Sequence, residues 1–157
     1  MQIMEKIAVF PGSFDPITRG HDSVVRRALP LFDRIILAIG ANPDKSPVFP
    51  LEKRITWLES LYKDEPKIQV VVYSGLTVDF CRQMNAKYIL RGLRTSADFE
   101  FERTIGLMNK AMFDEIETVF LLCDPAYAAL SSSIVRDIIK NGGDVSNFVP
   151  EGMNVRI

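Results

Sequence analysis

The residues best suited to catalysis are concentrated in one short segment of the chain, residues 13–21. This segment, SFDPITRGH, contains Ser13, Asp15, Thr18 and His21, the last being the only histidine in the sequence. Hydroxyl groups and a neutral imidazole donate hydrogen bonds to phosphate oxygens. The segment follows an apolar run at residues 7–10, typical of a buried strand, and precedes a helical pattern at residues 22–32. Because open α/β sheets bind anions where a strand gives way to a helix, the segment predicts a phosphate-handling loop.

His21 is the candidate with the strongest local context. A single histidine in a chain is often structural, but this one follows Gly20 at a predicted helix start, beside a loop rich in hydroxyl groups. A helix N-terminus favours neutral imidazole, which can donate a hydrogen bond to phosphate. The position therefore favours a functional histidine.

Cationic side chains follow two other predicted strands. Lys45 comes after the strand predicted at residues 34–40, and Arg91 and Arg94 come after the strand predicted at residues 87–90. The arginines could be solvated surface charges, but two guanidinium groups at one strand end suit a bidentate phosphate clamp. Phosphoryl or nucleotidyl transfer is catalysed largely by donors and cations placed around the reacting phosphate. The pattern predicts this kind of chemistry.

Three consecutive serines follow the last predicted strand, at residues 117–123. Ser131, Ser132 and Ser133 precede an apolar helical pattern, so their hydroxyl groups suit the N-cap and first turn of a helix. Capping and phosphate binding use the same free N–H groups. Both interpretations stay open.

The elements that must position these residues alternate along the chain. Strands are predicted at residues 7–10, 34–40, 68–73, 87–90 and 117–123, and helices at residues 22–32, 50–62, 77–85, 97–113 and from residue 131. Phe101, Ile105, Met108 and Met112 recur at helical spacing and are predicted to lie in the core. Alternating strands and helices predict an α/β fold, with a five-stranded parallel sheet and helices on both faces.

Size and composition narrow the function classes. We expect residues 1–157 to form a single domain. A net charge of -1 argues against nucleic-acid binding, and no apolar run reaches the length of a membrane span. The first residues, MQIMEK, lead directly into the first strand and leave no room for a signal peptide, so a cytoplasmic location is expected. Cys81 and Cys123 are predicted to be reduced, buried thiols.

The common phosphate-binding motifs do not occur in the sequence. There is no GxxxxGK[ST], and no GxGxxG follows the first predicted strand. The sequence therefore gives no motif evidence for a P-loop NTPase or a dinucleotide-dependent dehydrogenase.

Three motifs together carry a resemblance to a known family. GSFDPITRGH followed by Lys45, then RGLRTSADFEFE, then SSSIVR closely resemble the bacterial phosphopantetheine adenylyltransferases, a family of the nucleotidyltransferase superfamily. The HxGH motif of that superfamily is TRGH here, with Thr18 in place of the first histidine, as is typical of this family. The resemblance covers nearly the whole chain and implies a Rossmann-like nucleotidyltransferase fold.

The resemblance implies transfer of the adenylyl group of ATP to 4'-phosphopantetheine, giving dephospho-coenzyme A and pyrophosphate in coenzyme A biosynthesis. The attack is expected to be in line, without a covalent enzyme intermediate. His21, Ser13, Lys45 and Arg94 would be catalytic, with His21 stabilising the transition state. The pantetheine substrate would contact Ser13, Lys45, Thr77 and Arg91. ATP would contact Ser13, Phe14, His21, Gly92, Leu93, Arg94, Glu102, Tyr127, Ala128, Ala129, Leu130, Ser131, Ser132 and Ser133.

The resemblance also implies magnesium as cofactor, a homohexameric assembly and coenzyme A as a feedback inhibitor. Two alternatives stay open from the residues themselves. One is a related adenylyl or cytidylyl transferase that acts on another phosphate acceptor. The other is a non-catalytic nucleotide-binding protein on the same fold.

Overall fold

The computed structural model describes residues 3–42 and 44–157, and its central feature is one five-stranded sheet. The strands are β1 (Ile7–Gly12), β2 (Arg34–Gly40), β3 (Ile68–Tyr73), β4 (Tyr88–Leu93) and β5 (Glu117–Leu122). All neighbouring pairs are parallel, and the order across the sheet is β3-β2-β1-β4-β5. The predicted five-stranded parallel sheet is confirmed.

Helices connect the strands in the predicted sequence. They are α1 (Arg19–Ala28), α2 (Leu51–Leu61), α3 (Thr77–Gln83), α4 (Ser96–Met112) and α5 (Ser132–Lys140), with short 3-10 turns at Leu29–Leu31 and Pro125–Tyr127. Ser131 is the N-cap of α5, and Gly142, with a φ of 76°, follows its C-terminus in the left-handed conformation. The N-cap that the serine triplet suggests is confirmed at Ser131.

Apolar clusters lie on both faces of the sheet. On one face, side chains from α1 and α2, including Val25 and Leu58, pack against β1 and β2. On the other face, Phe80 and Cys81 of α3 pack against the opposite sides of the same strands. Because both faces of β1 and β2 are covered, their sequences read as continuous apolar runs instead of alternating ones.

Two strands extend beyond their predicted ends. β1 continues through Pro11 to Gly12, and β4 continues through Arg91 to Leu93. The pairing of β1 with β2 holds as far as Gly12, but its pairing with β4 stops at Val9. The two central strands therefore separate toward their carboxyl ends, and a crevice opens between them.

The prediction that the apolar residues of α4 belong to the core is wrong. Phe101 is 67% exposed and Met108 is 58% exposed, and Ile105 and Met112 are also exposed. The helix rests on the sheet through a neighbouring side that includes the buried Glu102 and Gly106, which lies against Thr118. Helical spacing identifies an apolar face, but it does not tell whether the same chain or another one covers that face.

Among the described residues, no helix is both long enough and apolar enough to cross a membrane.

Candidate active site

Two adjoining cavities lie at the carboxyl ends of the central strands. One has a volume of about 630 Å³ and the other about 270 Å³, and both are lined by Pro11, Gly12, Ser13, Arg91 and Glu102. Connections from β1 lead to β2 on one side of the sheet, whereas β4 lies on the other side of β1. Ligands of open α/β sheets bind at such a switch in strand order. Both cavities therefore lie at the edge where the sequence predicts the site.

His21 lies in the first turn of α1 and lines the smaller cavity. The N–H of Thr18 donates to its Nδ1 over 3.0 Å, and the His21 N–H donates to Oγ1 of Thr18 over 3.3 Å. Because Nδ1 accepts a backbone hydrogen bond, the proton of the neutral ring is on Nε2. The capping interaction thus leaves His21 with one N–H that can be donated to a ligand.

The surroundings of His21 keep its ring neutral. Burial is the main cause, and the charges of Arg91 and Arg94 add to it, so that the pKa of His21 falls to about 4. The ring packs beside Phe10 and Phe14, with ring centroids 6.2 Å and 5.5 Å away. The neutral imidazole predicted for this position is supported, but burial matters more than the helix N-terminus.

Ser13 stands where the two cavities meet. Its neighbour Phe14 has a φ of 48°, a backbone conformation that costs free energy for a residue other than glycine. This turn directs the Phe14 ring into the core while Ser13 stays exposed and lines both cavities. The sharp turn thus presents the serine to ligands in either cavity.

Arg91 is held against a carboxylate. Its Nη2 and Nε donate to the two carboxylate oxygens of the buried Glu102 over 2.7 Å and 3.1 Å. Its Nη1 donates to the carbonyl oxygen of Pro11 over 2.5 Å, across the gap between β1 and β4. The Nε and Nη2 groups that form the fork of Arg91 are therefore already bonded to Glu102. A ligand would contact one of the remaining N–H groups, on Nη1 or Nη2.

Arg94 is arranged in the same way. Its Nε and Nη2 donate to the carboxylate of Asp98 over 3.1 Å and 3.3 Å, and its Nη1 donates to the carbonyl oxygen of Leu130 over 2.9 Å. These contacts keep the pKa of Asp98 below its usual value, despite the opposing effect of its partial burial. Each of the two guanidinium forks therefore binds a carboxylate in this structure, and the predicted bidentate phosphate clamp stays a prediction.

The three serines have separate contacts. Ser131 accepts the N–H of Ile134 as the cap of α5, and Ser132 donates to the carbonyl oxygen of Pro16 over 2.8 Å. Ser133 accepts a hydrogen bond from Arg136 and lies outside the lining of the smaller cavity. Ser131 and Ser132 line that cavity, so the capped N-terminus of α5 borders it.

The larger cavity contains the remaining candidates for substrate contact. Lys45 and Thr77 line it, from the segment after β2 and from the first turn of α3. The hydroxyl of Thr77 lies 2.9 Å from that of Tyr73. The cation predicted at the end of β2 therefore reaches the same cavity as Ser13 and Arg91.

The carboxylates near the cavities do not form a metal centre. Within residues 3–42 and 44–157, no group of three or more histidine, cysteine, aspartate or glutamate side chains is close enough to hold a metal ion. Glu102 and Asp98, the carboxylates that line the cavities, are each paired with an arginine. The residues present therefore do not fit a metal held by the protein alone.

Comparison with known proteins identifies the family. The model of the cytidylyltransferase-like family matches residues 9–138. A phosphopantetheine adenylyltransferase of Flavobacterium psychrophilum is 51% identical over 95% of this chain and 98% of its own length. Those of Christiangramia forsetii and Bacteroides thetaiotaomicron are 52% and 48% identical, over 93% and 94% of this chain and 96% and 97% of their own lengths.

The chain belongs to the phosphopantetheine adenylyltransferase family.

Solved structures agree on the fold of this adenylyltransferase family member. A crystal structure from Vibrio parahaemolyticus, described as a candidate nicotinate-nucleotide adenylyltransferase, has a TM-score of 0.71 at 18% identity, covering 96% of this chain and 90% of that one. The nicotinic acid mononucleotide adenylyltransferase of Plasmodium falciparum has a TM-score of 0.66 at 17% identity, covering 94% of this chain and 92% of its own. The Rossmann-like nucleotidyltransferase fold is confirmed.

Most of the residues that the sequence resemblance implies for ATP line one cavity of this adenylyltransferase family member. The smaller cavity is lined by Ser13, Phe14, His21, Gly92, Arg94, Glu102, Tyr127, Ser131 and Ser132. Outside its lining lie Leu93, Ala128, Ala129, Leu130 and Ser133. The side chain of Phe14 is itself buried, so its part in the site is to support His21.

Sequence reasoning missed several residues of the adenylyltransferase site. Asp98 orients Arg94, and its only sequence signal is the spacing of four residues between them. Arg54 lies in α2 and donates to the carbonyl oxygen of Ser13 over 2.7 Å, a contact that no local pattern indicates. Cys123 was predicted to be buried, but it is only partly buried and lines the smaller cavity.

Proposed function

We propose that this protein transfers the adenylyl group of ATP to 4'-phosphopantetheine, forming dephospho-coenzyme A and pyrophosphate. The observation that carries the proposal is the pair of cavities that meet at Ser13 and Arg91. A reaction between two phosphate-bearing substrates needs two adjoining sites with a shared wall of donors. The nucleotide would occupy the cavity of His21, and the pantetheine substrate would occupy that of Lys45.

The proposed chemistry needs no general base. A phosphate monoester is already an anion near neutral pH, since its second pKa is about 6. One of its oxygens attacks the α-phosphorus of ATP in line, and the bond from that phosphorus to the bridging oxygen of pyrophosphate breaks. The protein's task is to offset repulsion between two anions and to stabilise the charge of the transition state.

His21 and Lys45 would share that task from opposite sides. The Nε2–H of His21 would donate to an oxygen of the α-phosphate, and Ser13 and Lys45 would hold the attacking phosphate. Arg91 and Arg94 would add positive charge through the N–H groups not used by Glu102 and Asp98. Because these contacts strengthen as charge develops on the phosphate oxygens, they would favour the transition state.

We propose that magnesium arrives bound to the phosphates of ATP. Magnesium often keeps several waters and is bound through substrate phosphates with few protein carboxylates. That mode suits a site whose lining carboxylates, Glu102 and Asp98, are already paired with arginines.

We further propose a homohexamer that covers the exposed side of α4. Phe101, Ile105, Met108 and Met112 present an apolar strip at the surface, which is the usual mark of a protein interface. Phe101 and Ile105 also line the larger cavity, so the acceptor site and the interface would be neighbours.

Coenzyme A contains the pantetheine and adenosine parts of the two ligands, which supports its proposed role as an inhibitor at these cavities. A cytoplasmic location is the expected setting for this pathway.

An acceptor panel tests the proposed reaction. The protein is incubated with ATP and magnesium together with 4'-phosphopantetheine, nicotinate mononucleotide or a phosphorylated alcohol that cytidylyltransferases use, and the products are identified by mass. We expect dephospho-coenzyme A from the first acceptor only. Turnover with a different acceptor alone would favour a related transferase, and nucleotide binding without any product would favour a non-catalytic protein.

A further inference from the structure

A buried polar network joins the loop that carries Ser13 to the segment that carries Lys45. Asp15 is only 4% exposed, and its carboxylate oxygens accept the N–H groups of Val48 and Phe49, each over 2.9 Å. The loop after β1 is thereby attached to the end of the segment that connects β2 to α2.

Arg54 makes the second connection between the same two stretches. It is 5% exposed, and its Nε donates to the carbonyl oxygen of Phe49 over 3.1 Å. Its Nη1 donates to the carbonyl oxygen of Ser13 over 2.7 Å. One planar guanidinium therefore bonds to both stretches at once, which a lysine ammonium on a flexible stem does not reproduce.

Burying the charged groups of Asp15 and Arg54 costs free energy. A buried arginine and a buried carboxylate each lose hydration, and the loss is offset only when their hydrogen bonds are made. Here, nearly all the partners are backbone groups of the two loops, so the network fixes loop geometry more than it fills the core. We call Asp15 and Arg54 the loop brace.

We propose that the loop brace sets the position of Ser13 relative to Lys45 and so orients the attacking phosphate of the acceptor. The inference rests on the proposed adenylyl transfer. Neither residue lines the smaller cavity. Arg54 borders a further cavity of about 300 Å³ on the side of Ser13 and Lys45, and its hydrogen bond to the loop after β1 goes to the Ser13 carbonyl. Both are positioning residues, and they act on the acceptor side of the reaction.

The first test replaces the fork of the guanidinium while keeping its charge. In Arg54→Lys, we expect kcat/KM for 4'-phosphopantetheine to fall roughly 10- to 100-fold, because small displacements of reacting groups have large effects on rate. The dissociation constant of ATP should change by less than about twofold, since Ser13 is only one residue of the nucleotide cavity and the others, including His21 and Arg94, lie on other elements. A buried control on the opposite face of the sheet, Ile36→Val, should leave both values unchanged.

A double-mutant cycle distinguishes positioning from simple loss of stability. If Arg54 acts through Ser13, Arg54→Lys should cost much less in a Ser13→Ala background than in the wild type. A general loss of folded protein would instead lower activity by the same factor in both backgrounds. Additive effects, or equal losses for ATP and acceptor, would overturn the proposal.

A second variant covers the case in which Arg54→Lys does not fold. Asp15→Asn keeps the shape of the side chain but replaces an accepting oxygen by an N–H₂ group that faces a backbone N–H. It should lower kcat/KM for the acceptor in the same selective way, and an unchanged value would overturn the proposal. Absence of transfer by the wild-type protein would refute the proposed function, whereas active wild type with unaffected brace variants would refute only the brace.

Discussion

A neutral histidine donates to a phosphate only if its proton is on the nitrogen that faces the ligand. In this structure, neighbours in the same loop and its surroundings set both the charge of His21 and the position of its proton. The N–H of Thr18 fixes the tautomer, while burial and the nearby arginines lower the pKa of His21. Since this is the only histidine of the chain, its state can be measured without interference from others.

Replacing His21 should affect chemistry more than binding. We expect His21→Ala to lower kcat by about 10²- to 10³-fold, the usual cost of removing one donor to a transition-state oxygen. His21→Gln should retain more activity, because its amide N–H₂ can still donate. Steady-state rates with ATP titrations would check both, and an unchanged rate in His21→Ala would exclude the histidine from catalysis.

The single histidine also predicts a pH dependence. An NMR titration should place its pKa near 4, below the ordinary value of 6.5, with the neutral ring protonated on Nε2. A midpoint near 6.5 would contradict the assigned environment.

Protonation of His21 should also affect stability in a defined window. Between pH 6.5 and 4, the unfolded chain binds a proton at His21 and the folded chain does not, so the free energy of unfolding falls as the pH falls. From pH 7 to pH 5, this residue should contribute at most about 2 kcal/mol to the loss. Urea unfolding of the wild type and His21→Gln at both pH values would measure it, and equal pH dependence in the two proteins would argue against the shift.

At the residue scale, the sequence shows which side chains can do chemistry but not how they are partnered. His21, Ser13 and Lys45 are recognisable from type and position. The pairing of Arg91 with Glu102 is not, because it joins a strand to a helix that follows it. Charge pairs of this kind depend on the tertiary fold. The sequence around an arginine at a strand end is therefore the same whether its guanidinium is free to bind a ligand or is paired with a carboxylate.

At the scale of elements, strand ends are predictable where turn residues bound an apolar run. β2 and β3 match their predicted limits for this reason. β4 does not, because Arg91 and Gly92 interrupt the apolar pattern while the pairing with β5 continues beside them. The site depends on this extension, since it brings Arg91 level with the opening next to β1.

Gly92 of β4 lies directly against Val24 of α1. A Cβ atom there would lie 2.9 Å from Cγ2 of Val24, which is buried. Gly92→Ala should therefore push α1, and His21 with it, away from the strand. The cost expected from such overpacking is about 1–3 kcal/mol, with a fall in Tm of several degrees and lower activity.

A compensating change provides the control for Gly92. Val24→Ala removes the methyl groups that the new side chain would meet, so Gly92→Ala/Val24→Ala should regain part of the lost activity. Thermal melting and transfer rates of the three variants would measure this coupling. If the double variant is no better than the sum of the singles, close packing at Gly92 is not what holds α1 in place.

At the scale of the whole molecule, α4 exposes an apolar side that no other part of the described chain covers. Its apolar spacing is the same for a core helix and for an interface helix, so the sequence could not separate the two. The described chain leaves Phe101 and Met108 largely exposed. The assembly and the single domain both stay predictions.

Charging the apolar side of α4 should break the proposed assembly. We expect Met108→Glu to shift the particle mass from that of a hexamer to that of a smaller species, because a carboxylate is costly to bury in an apolar interface. Lys63→Glu, at an exposed position beyond α2, should leave the mass unchanged. Light scattering of the three proteins would decide, and a wild-type monomer would contradict the hexamer.

The measurement that tests the central claim most directly is coupled pyrophosphate release with ATP, magnesium and 4'-phosphopantetheine. The account predicts one pyrophosphate for each dephospho-coenzyme A formed, and no pyrophosphate when pantetheine without its phosphate is supplied. The reason is that transfer requires the acceptor phosphate in one cavity and the α-phosphate of ATP in the other. Pyrophosphate release that is independent of the acceptor, or none with 4'-phosphopantetheine, would contradict it.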